Sequence, residues 1–341
     1  MKIACTHCST SYDIPEERIR KMGGHVVFPC PACKKNIEVK VSGAAPQQQS
    51  TPQQAPPQQQ LTGTKLKARI LRRVKDLPPM PQVAQKARQI MSQEGSSFKD
   101  LAKVIETDQA IATRVLKIAN SPFYGVRGNV TSIQHASVVL GMKTLNELLT
   151  LACASSVLGS ALDGYGLDSG ELWRHSLAVA SCARMIALQK NPELVDNAFS
   201  AGLIHDCGKL ILDPYIFERK GDFETFVQDS KKSFLSAEKN ILGFDHAEIA
   251  ADVCEQWQIP KELINPIRYH HKPSNLHGNE LGYIVHAADS ISLMSGIGVG
   301  EDGIMYEIDQ EAMEALDLDS TSISLFMADT VEYVEKTISG F

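Results

Sequence analysis

The sequence predicts an all-α body preceded by a small β ribbon and a disordered linker. Three observations carry this. Beyond residue 82, apolar residues recur at intervals of three and four, as in Val83, Ala84, Ala87, Ile90 and Met91, while strict apolar alternation is hard to find. Four of the eight cysteines gather in two C-x2-C pairs near the N-terminus. Between these regions lies a stretch with no charged side chain at all.

Cys5-x2-Cys8 and Cys30-x2-Cys33 stand 21 residues apart. Each pair points two thiolates at one ion from a tight knuckle, and two knuckles complete a tetrahedral site of the kind zinc prefers. The intervening pattern fits short strands at 11–14, 25–28 and 37–41, with Gly23-Gly24 as a turn. So few residues cannot bury a core, and metal binding must supply the folding free energy. Four thiolates satisfy zinc, which leaves His7 and His25 as bystanders. No βαβ pattern surrounds either pair to support a redox role. Residues 1–41 resemble the zinc ribbon found at the head of many bacterial regulatory and membrane-associated proteins.

Residues 42–64 hold eight Gln, four Pro and scarcely an apolar side chain, so the segment cannot offset its ordering entropy. A coil of that length spans on the order of 25 Å, a tether for the ribbon beside a separate body. The net charge of -6 hides an asymmetry: residues 1–42 carry 7 basic and 4 acidic side chains, 65–100 carry 9 and 3, and 101–341 carry 18 and 33. A nucleic-acid wrapper would need a broad cationic face, so only a local contact through the basic N-terminal part is left open. Apolar runs are interrupted well short of the about 18 residues of a membrane span, and no basic stretch followed by an apolar core opens the chain. We expect no membrane span and a cytoplasmic location. Reduced cytosolic thiols account for Cys153, Cys182, Cys207 and Cys254.

In the body, Ser97 precedes a helical pattern with Asp100 three residues on, a capping-box spacing. Leu101, Val104 and Ile105 continue it, then Ile111, Val115, Leu116, Ile118 and Ala119, ended by Asn120-Ser121-Pro122. A face of Leu145, Leu148 and Leu149 leads to a Gly-rich break at 159–170. Residues 301–341 carry 11 acidic side chains against Lys336 alone, which predicts solvated helices at the C-terminus.

His205-Asp206 can give one imidazole nitrogen and one carboxylate oxygen to a metal, and is expected on a helix. His175, His246, His270, His271 and Asp289 add N and O ligands at intervals typical of separate helices. Mixed imidazole and carboxylate ligands suit iron, manganese or another divalent ion. Such a site can activate water for phosphoester hydrolysis, with Lys209 offering positive charge to a phosphate. Glu171, four residues before His175, is a further candidate carboxylate on the same helical face.

A resemblance rests on motifs in order. Leu77-Pro78-Pro79-Met80-Pro81, Asp108-Gln109-Ala110, Leu116-Lys117-Ile118-Ala119-Asn120-Ser121, Ile133-Gln134-His135-Ala136 and Leu140-Gly141 look like the first lobe of the HDOD family, the bacterial HD-related output domain. Trp173-Arg174-His175-Ser176, the run from Gly202 to Lys209, Phe244-Asp245-His246-Ala247-Glu248, Trp257-Gln258-Ile259-Pro260, Tyr269-His270-His271 and His286-Ala287-Ala288-Asp289 resemble its second lobe. The resemblance implies a two-lobed helical fold of the HD superfamily type. The HDOD domain then covers 65–290, with a first lobe at 65–160, an HD-like lobe at 165–290 and an acidic helical extension at 291–341. It also implies bacterial origin and a regulatory output role with a protein partner in a signalling pathway. The related HD-GYP phosphodiesterases, which hydrolyse cyclic di-GMP, carry Glu after the paired His and a Gly-Tyr-Pro segment downstream. Here His270-His271 is followed by Lys272-Pro273-Ser274-Asn275-Leu276-His277-Gly278. We therefore expect a binding module, with a metal-dependent phosphohydrolase of a nucleotide or other phosphoester as the alternative.

Overall fold

The structure is a computed structural model and describes residues 2–5, 8–13, 25–30, 32–33, 35–40, 62–74, 82–91, 97–126, 129–257, 259–300 and 307–339. The expectations for His7, for the Gly23-Gly24 turn, for residues 77–81 and Gln258, and for nearly all of the linker lie outside them. The chain divides into two compact units, Met1–Gln60 and Leu61–Phe341.

In the first unit β1 (Lys2–Ala4) pairs antiparallel with β2 (Ser11–Asp13), Ile3 facing Tyr12. A second ribbon joins β3 (His25–Pro29) to β4 (Asn36–Lys40), with Phe28 opposite Ile37. β1 has no alternation long enough to announce it. Each knuckle is closed by a backbone hydrogen bond, from the Cys5 N–H to the Thr10 carbonyl and from the Cys30 N–H to the Lys35 carbonyl. Among the described residues of this unit only Cys5, Cys30 and Ile37 are buried apolar groups.

The second unit is helical. Its first lobe contains α2 (Gln82–Met91), α3 (Phe98–Ile105), α4 (Gln109–Ala119) and α5 (Ile133–Leu158), following α1 (Gly63–Val74). Ser97 and Asp100 form the capping box that their spacing predicts. Asp108 caps α4 through the N–H groups of Ala110 and Ile111. Asn120 ends α4, and its side chain pairs with both the N–H and the carbonyl of Val130, closing the intervening loop as a backbone strand would. α5 is by length and composition alone apolar enough to cross a membrane, which a buried core helix also can be. Gly141, with φ +83° and ψ 168°, breaks it into two arms, and Leu145, Leu148, Leu149, Leu151 and Ala152 pack into the core. α5 is a core helix with a kink.

The second lobe is built around α6 (Glu171–Lys190), buried along most of its length. α7 (Val195–Ile204), α8 (Cys207–Phe217), α9 (Lys220–Ser230), α10 (Phe234–Ile241), α11 (His246–Gln256), α12 (Lys261–Arg268) and α13 (Glu280–Met294) follow, with α14 (Gln310–Ala315) and α15 (Ser320–Ile338) at the C-terminus. Small side chains such as Ala183, Ala198, Ala201, Ala250 and Ala287 let α6, α7, α11 and α13 approach closely, and Ile264, Ile267 and Ile284 fill the space left. α15 is more than a solvated cover: Phe326, Thr330, Tyr333, Val334 and Thr337 are buried on it.

Two bridges tie the first lobe and α1 to this lobe. Arg184 on α6 lies 3.8 Å over the Phe199 ring and donates to Glu147 on α5 at 2.9 Å. Glu147 also accepts from the Tyr124 hydroxyl. α1, placed by its sequence position beside the first lobe, packs on α11: Lys67 reaches Glu248 at 3.1 Å and Asp252 at 2.9 Å, and the Gly63 N–H donates to the Leu242 carbonyl.

Candidate metal centres

The N-terminal cysteines come together as the spacing requires. Cys5 and Cys33 sulfurs stand 3.7 Å apart and Cys8 and Cys30 sulfurs 3.6 Å apart. A tetrahedral zinc with Zn–S of about 2.3 Å sets S···S edges of about 3.8 Å, so the four thiols fit such an ion. The Tyr12 hydroxyl lies 3.1 Å from the Cys30 sulfur, and this hydrogen bond is the main cause bringing that thiol down to about 6. A lowered thiol is a readier ligand at neutral pH.

The second cluster is assembled from five elements. His175 sits one turn into α6, and His246 opens α11. His205 and Asp206 occupy the junction between α7 and α8, which corrects the expectation of a helical pair: α7 stops at Ile204 and α8 starts at Cys207. His270 and His271 follow the end of α12, and Asp289 lies on α13. Glu171 does not join them. Its carboxylate turns back to accept the Asp168 N–H at 2.7 Å in the first turn of α6.

Asp206 presents one oxygen to each half of the cluster. Oδ2 faces His175 Nε2 at 3.6 Å and His205 Nε2 at 3.5 Å, while Oδ1 faces His246 Nε2 at 3.2 Å and His270 Nε2 at 3.7 Å. Asp289 Oδ1 stands 3.1 Å from His175 Nε2 and 3.7 Å from His205 Nε2, and its Oδ2 stands 4.0 Å from His271 Nδ1. Ligands at about 2.1 Å from a shared ion lie about 3.0–3.4 Å from one another, so these separations suit divalent ions. His175, His205, Asp206 and Asp289 outline one position, and His246, His270 and His271 with the other Asp206 oxygen outline a second. The His/Asp cluster, like the cysteine cluster, could bind metal.

Proton placement agrees. The Nδ1 atoms of His175, His205 and His270 lie 3.1, 2.8 and 2.8 Å from the carbonyls of Ile297, Gly202 and Ile267. A carbonyl can only accept, so each Nδ1 holds the proton and each Nε2 keeps its lone pair for the interior. His205 Nε2, His270 Nε2 and Asp206 Oδ1 are buried without a hydrogen-bond partner. Acceptors left bare in a core are costly, and a cation among them removes that cost.

Electrostatics point the same way. Burial opposes charge on both carboxylates, yet His205, Lys209 and His246 hold Asp206 well below the usual carboxylate range, and His175 and His205 do the same for Asp289. Burial also disfavours a charged His246, but Glu238 and Asp206 outweigh it and push its pKa up to about 10. Burial, with the charge of His205, takes His270 down to about 3. Lys209 pairs with Asp206 Oδ2 at 2.9 Å above the Tyr165 ring.

Two residues of the site carry no sequence signal. Glu238 on α10 is fully buried, lies 2.8 Å from His246 Nδ1 and accepts from the Tyr165 hydroxyl, forming a carboxylate–histidine support of the kind metal ligands use. Gly298, at φ +74°, lies against His175: a Cβ there would stand 2.4 Å from the His175 Cβ, so only glycine lets the 296–300 turn cover this ligand.

A family model for the HDOD domain matches residues 77–273. The chain belongs to the HDOD family. Among solved structures, an HDOD domain protein of unknown function from Geobacter sulfurreducens is 21% identical with a TM-score of 0.65, over 81% of this chain and 99% of that one. A Shewanella amazonensis protein provisionally named a phosphohydrolase is 21% identical with a TM-score of 0.62, over 80% of this chain and 98% of that one. A Marinobacter aquaeolei protein provisionally named a signal transduction protein is 24% identical with a TM-score of 0.61, over 77% of this chain and 59% of that one. These likenesses establish the two-lobed helical HDOD fold. An uncharacterized protein of Treponema pallidum is 27% identical over 218 residues, 61% of this chain. The HDOD chain spans 40% of the length of that curated relative.

Proposed function

We propose that the protein is a bacterial, cytoplasmic signal-transduction module: an HDOD body organised around a divalent metal centre, tethered to an N-terminal zinc ribbon that offers a protein partner a second contact. The observation that carries this reading is the convergence of buried, outward-protonated imidazoles on two carboxylates. Iron or manganese matches the mixed ligand set, and zinc the four thiolates.

A signalling rather than catalytic use is supported by closure. His175, His205, Asp206, His246, His270 and Asp289 are each at most 5% exposed. The segment where the cyclic di-GMP enzymes carry Gly-Tyr-Pro is here a short 3-10 turn, Pro273–Leu276, and the Gly278 N–H after it is tied to the Tyr283 hydroxyl. Purified full-length protein is expected to carry iron or manganese and to hydrolyse cyclic di-GMP no faster than background. Robust turnover that vanished in Asp206→Ala would replace the module by an enzyme. One observation favours hydrolysis of a different phosphoester: Lys209 places an ammonium beside Asp206 at the edge of the cluster.

The ribbon reading has its own test. Cys30→Ser is expected to remove zinc and unfold the first unit alone, because three cysteines leave one tetrahedral position open and the unit has little apolar core. A full equivalent of zinc retained in the variant would refute the four-thiolate site.

A further inference from the structure

His270 and His271, like His205 and Asp206, follow a helix end on a turn, so the regular hydrogen bonds of a helix do not fix their backbone. The His270 ring is held by the Ile267 carbonyl. Its main chain is held from another helix: the His270 carbonyl lies 2.6 Å from Nδ1 of His286 on α13. The direction of that bond is set by the C-terminal extension. The Asp309 N–H donates to His286 Nε2 at 2.8 Å, so Nε2 is an acceptor, the proton stays on Nδ1, and Nδ1 donates to His270.

The other end of the same segment is held from the same place. Gly278 donates its N–H to the Tyr283 hydroxyl at 2.9 Å, and that hydroxyl donates to the Glu311 carboxylate. α14 packs against the Pro273–Leu276 turn between these two ties. His286 is 5% exposed, so water cannot readily replace a lost partner. Residues 307–316 lie beyond the 77–273 segment that the family model matches.

We propose that the C-terminal segment 307–316 is a working part of the metal centre, holding the His270–His271 turn through His286 as the positioning residue, so that the metal position served by His246, His270 and His271 depends on it. The proposal rests on the reading of the His/Asp cluster as a metal centre. It acts on one half of that centre: the His175 and His205 rings are held instead by the Ile297 and Gly202 carbonyls.

The test uses the full chain loaded with manganese alone, with manganese per chain and its electron paramagnetic resonance spectrum as readouts. The wild type is expected to hold about two ions with the spectrum of a coupled pair. His286→Leu is expected to hold about one, with the spectrum of an isolated ion and unchanged helical content, while His286→Asn, which keeps one donor and one acceptor, regains part of the loss. If His286→Leu does not fold, Asp309→Pro carries the test. The Asp309 φ of -57° already suits proline, and the substitution removes the N–H while leaving the imidazole in place. Two ions in these variants, or loss of both, would overturn the proposal. A wild-type chain that bound no manganese would overturn instead the metal-centre reading beneath it.

Discussion

Asp206→Ala is expected to empty both halves of the His/Asp cluster and to lower the melting temperature by about 10 °C. Asp206 is 1% exposed and faces both histidine groups, one oxygen to each and closer to the second group than Asp289 is. Its removal also strands positive charge. Lys209 loses the carboxylate at 2.9 Å, and of its two buried carboxylates His246 keeps Glu238. Breaking a buried charge pair from one side costs about 3–5 kcal/mol, and in a chain of this size each kcal/mol moves the midpoint by about 2–4 °C. Calorimetry with metal analysis on the same samples checks both halves of the expectation. Wild-type metal content and an unmoved midpoint would return His205 and its neighbours to the status of ordinary core residues.

Gly208→Ala is expected to be nearly as damaging without replacing a ligand. A Cβ at Gly208 would sit 2.0 Å from the His246 carbonyl oxygen and 2.8 Å from the Ala250 nitrogen, both backbone atoms of α11. A side chain can rotate away from such a clash, but a helix backbone cannot, so α8 and α11 must separate. His246 opens α11 and moves with it. Overpacking of this kind costs about 3 kcal/mol or more, and metal affinity should fall with it. Gly221→Ala, on α9 with nothing within 4 Å, serves as the control and should stabilise by about 0.5–1 kcal/mol. Equal midpoints for the two variants in thermal unfolding would show that the α8–α11 contact tolerates separation.

What the sequence made legible follows the range of the interaction. The Ser97–Asp100 capping box is set within four residues and is where its spacing places it. The helical period carries the all-α fold and the ends of α4 and α5. The four clustered cysteines and the seven His and Asp candidates also come together, because residue types this rich in ligand atoms and arranged in family order are informative without contacts. Contacts between distant elements were not legible. Glu238 supports His246 from another helix, and nothing local distinguishes it from a surface glutamate. His286 stood in a motif, but its task depends on Asp309. Glu171 shows the converse: a shared helical face placed it near His175, and a nearer backbone N–H at Asp168 claimed its carboxylate. The break at His205-Asp206 was hidden because the apolar pattern runs through it.

Lys67 and Glu248 are bonded across 181 positions of chain. A ribosome delivers α1 long before it delivers the helix that α1 rests on. Twelve residues make a marginal helix in water, so Leu66 and Ile70 must wait uncovered, or cover themselves with temporary neighbours, until α11 has been synthesised. Closing a loop of that size costs entropy that only the finished second lobe can offset. The first helix of the body is thus among the last to settle. A fragment trimmed to begin at residue 77 would leave Glu248 and Asp252 facing the place where Lys67 belongs, with the helix that carries His246 unclasped along that side.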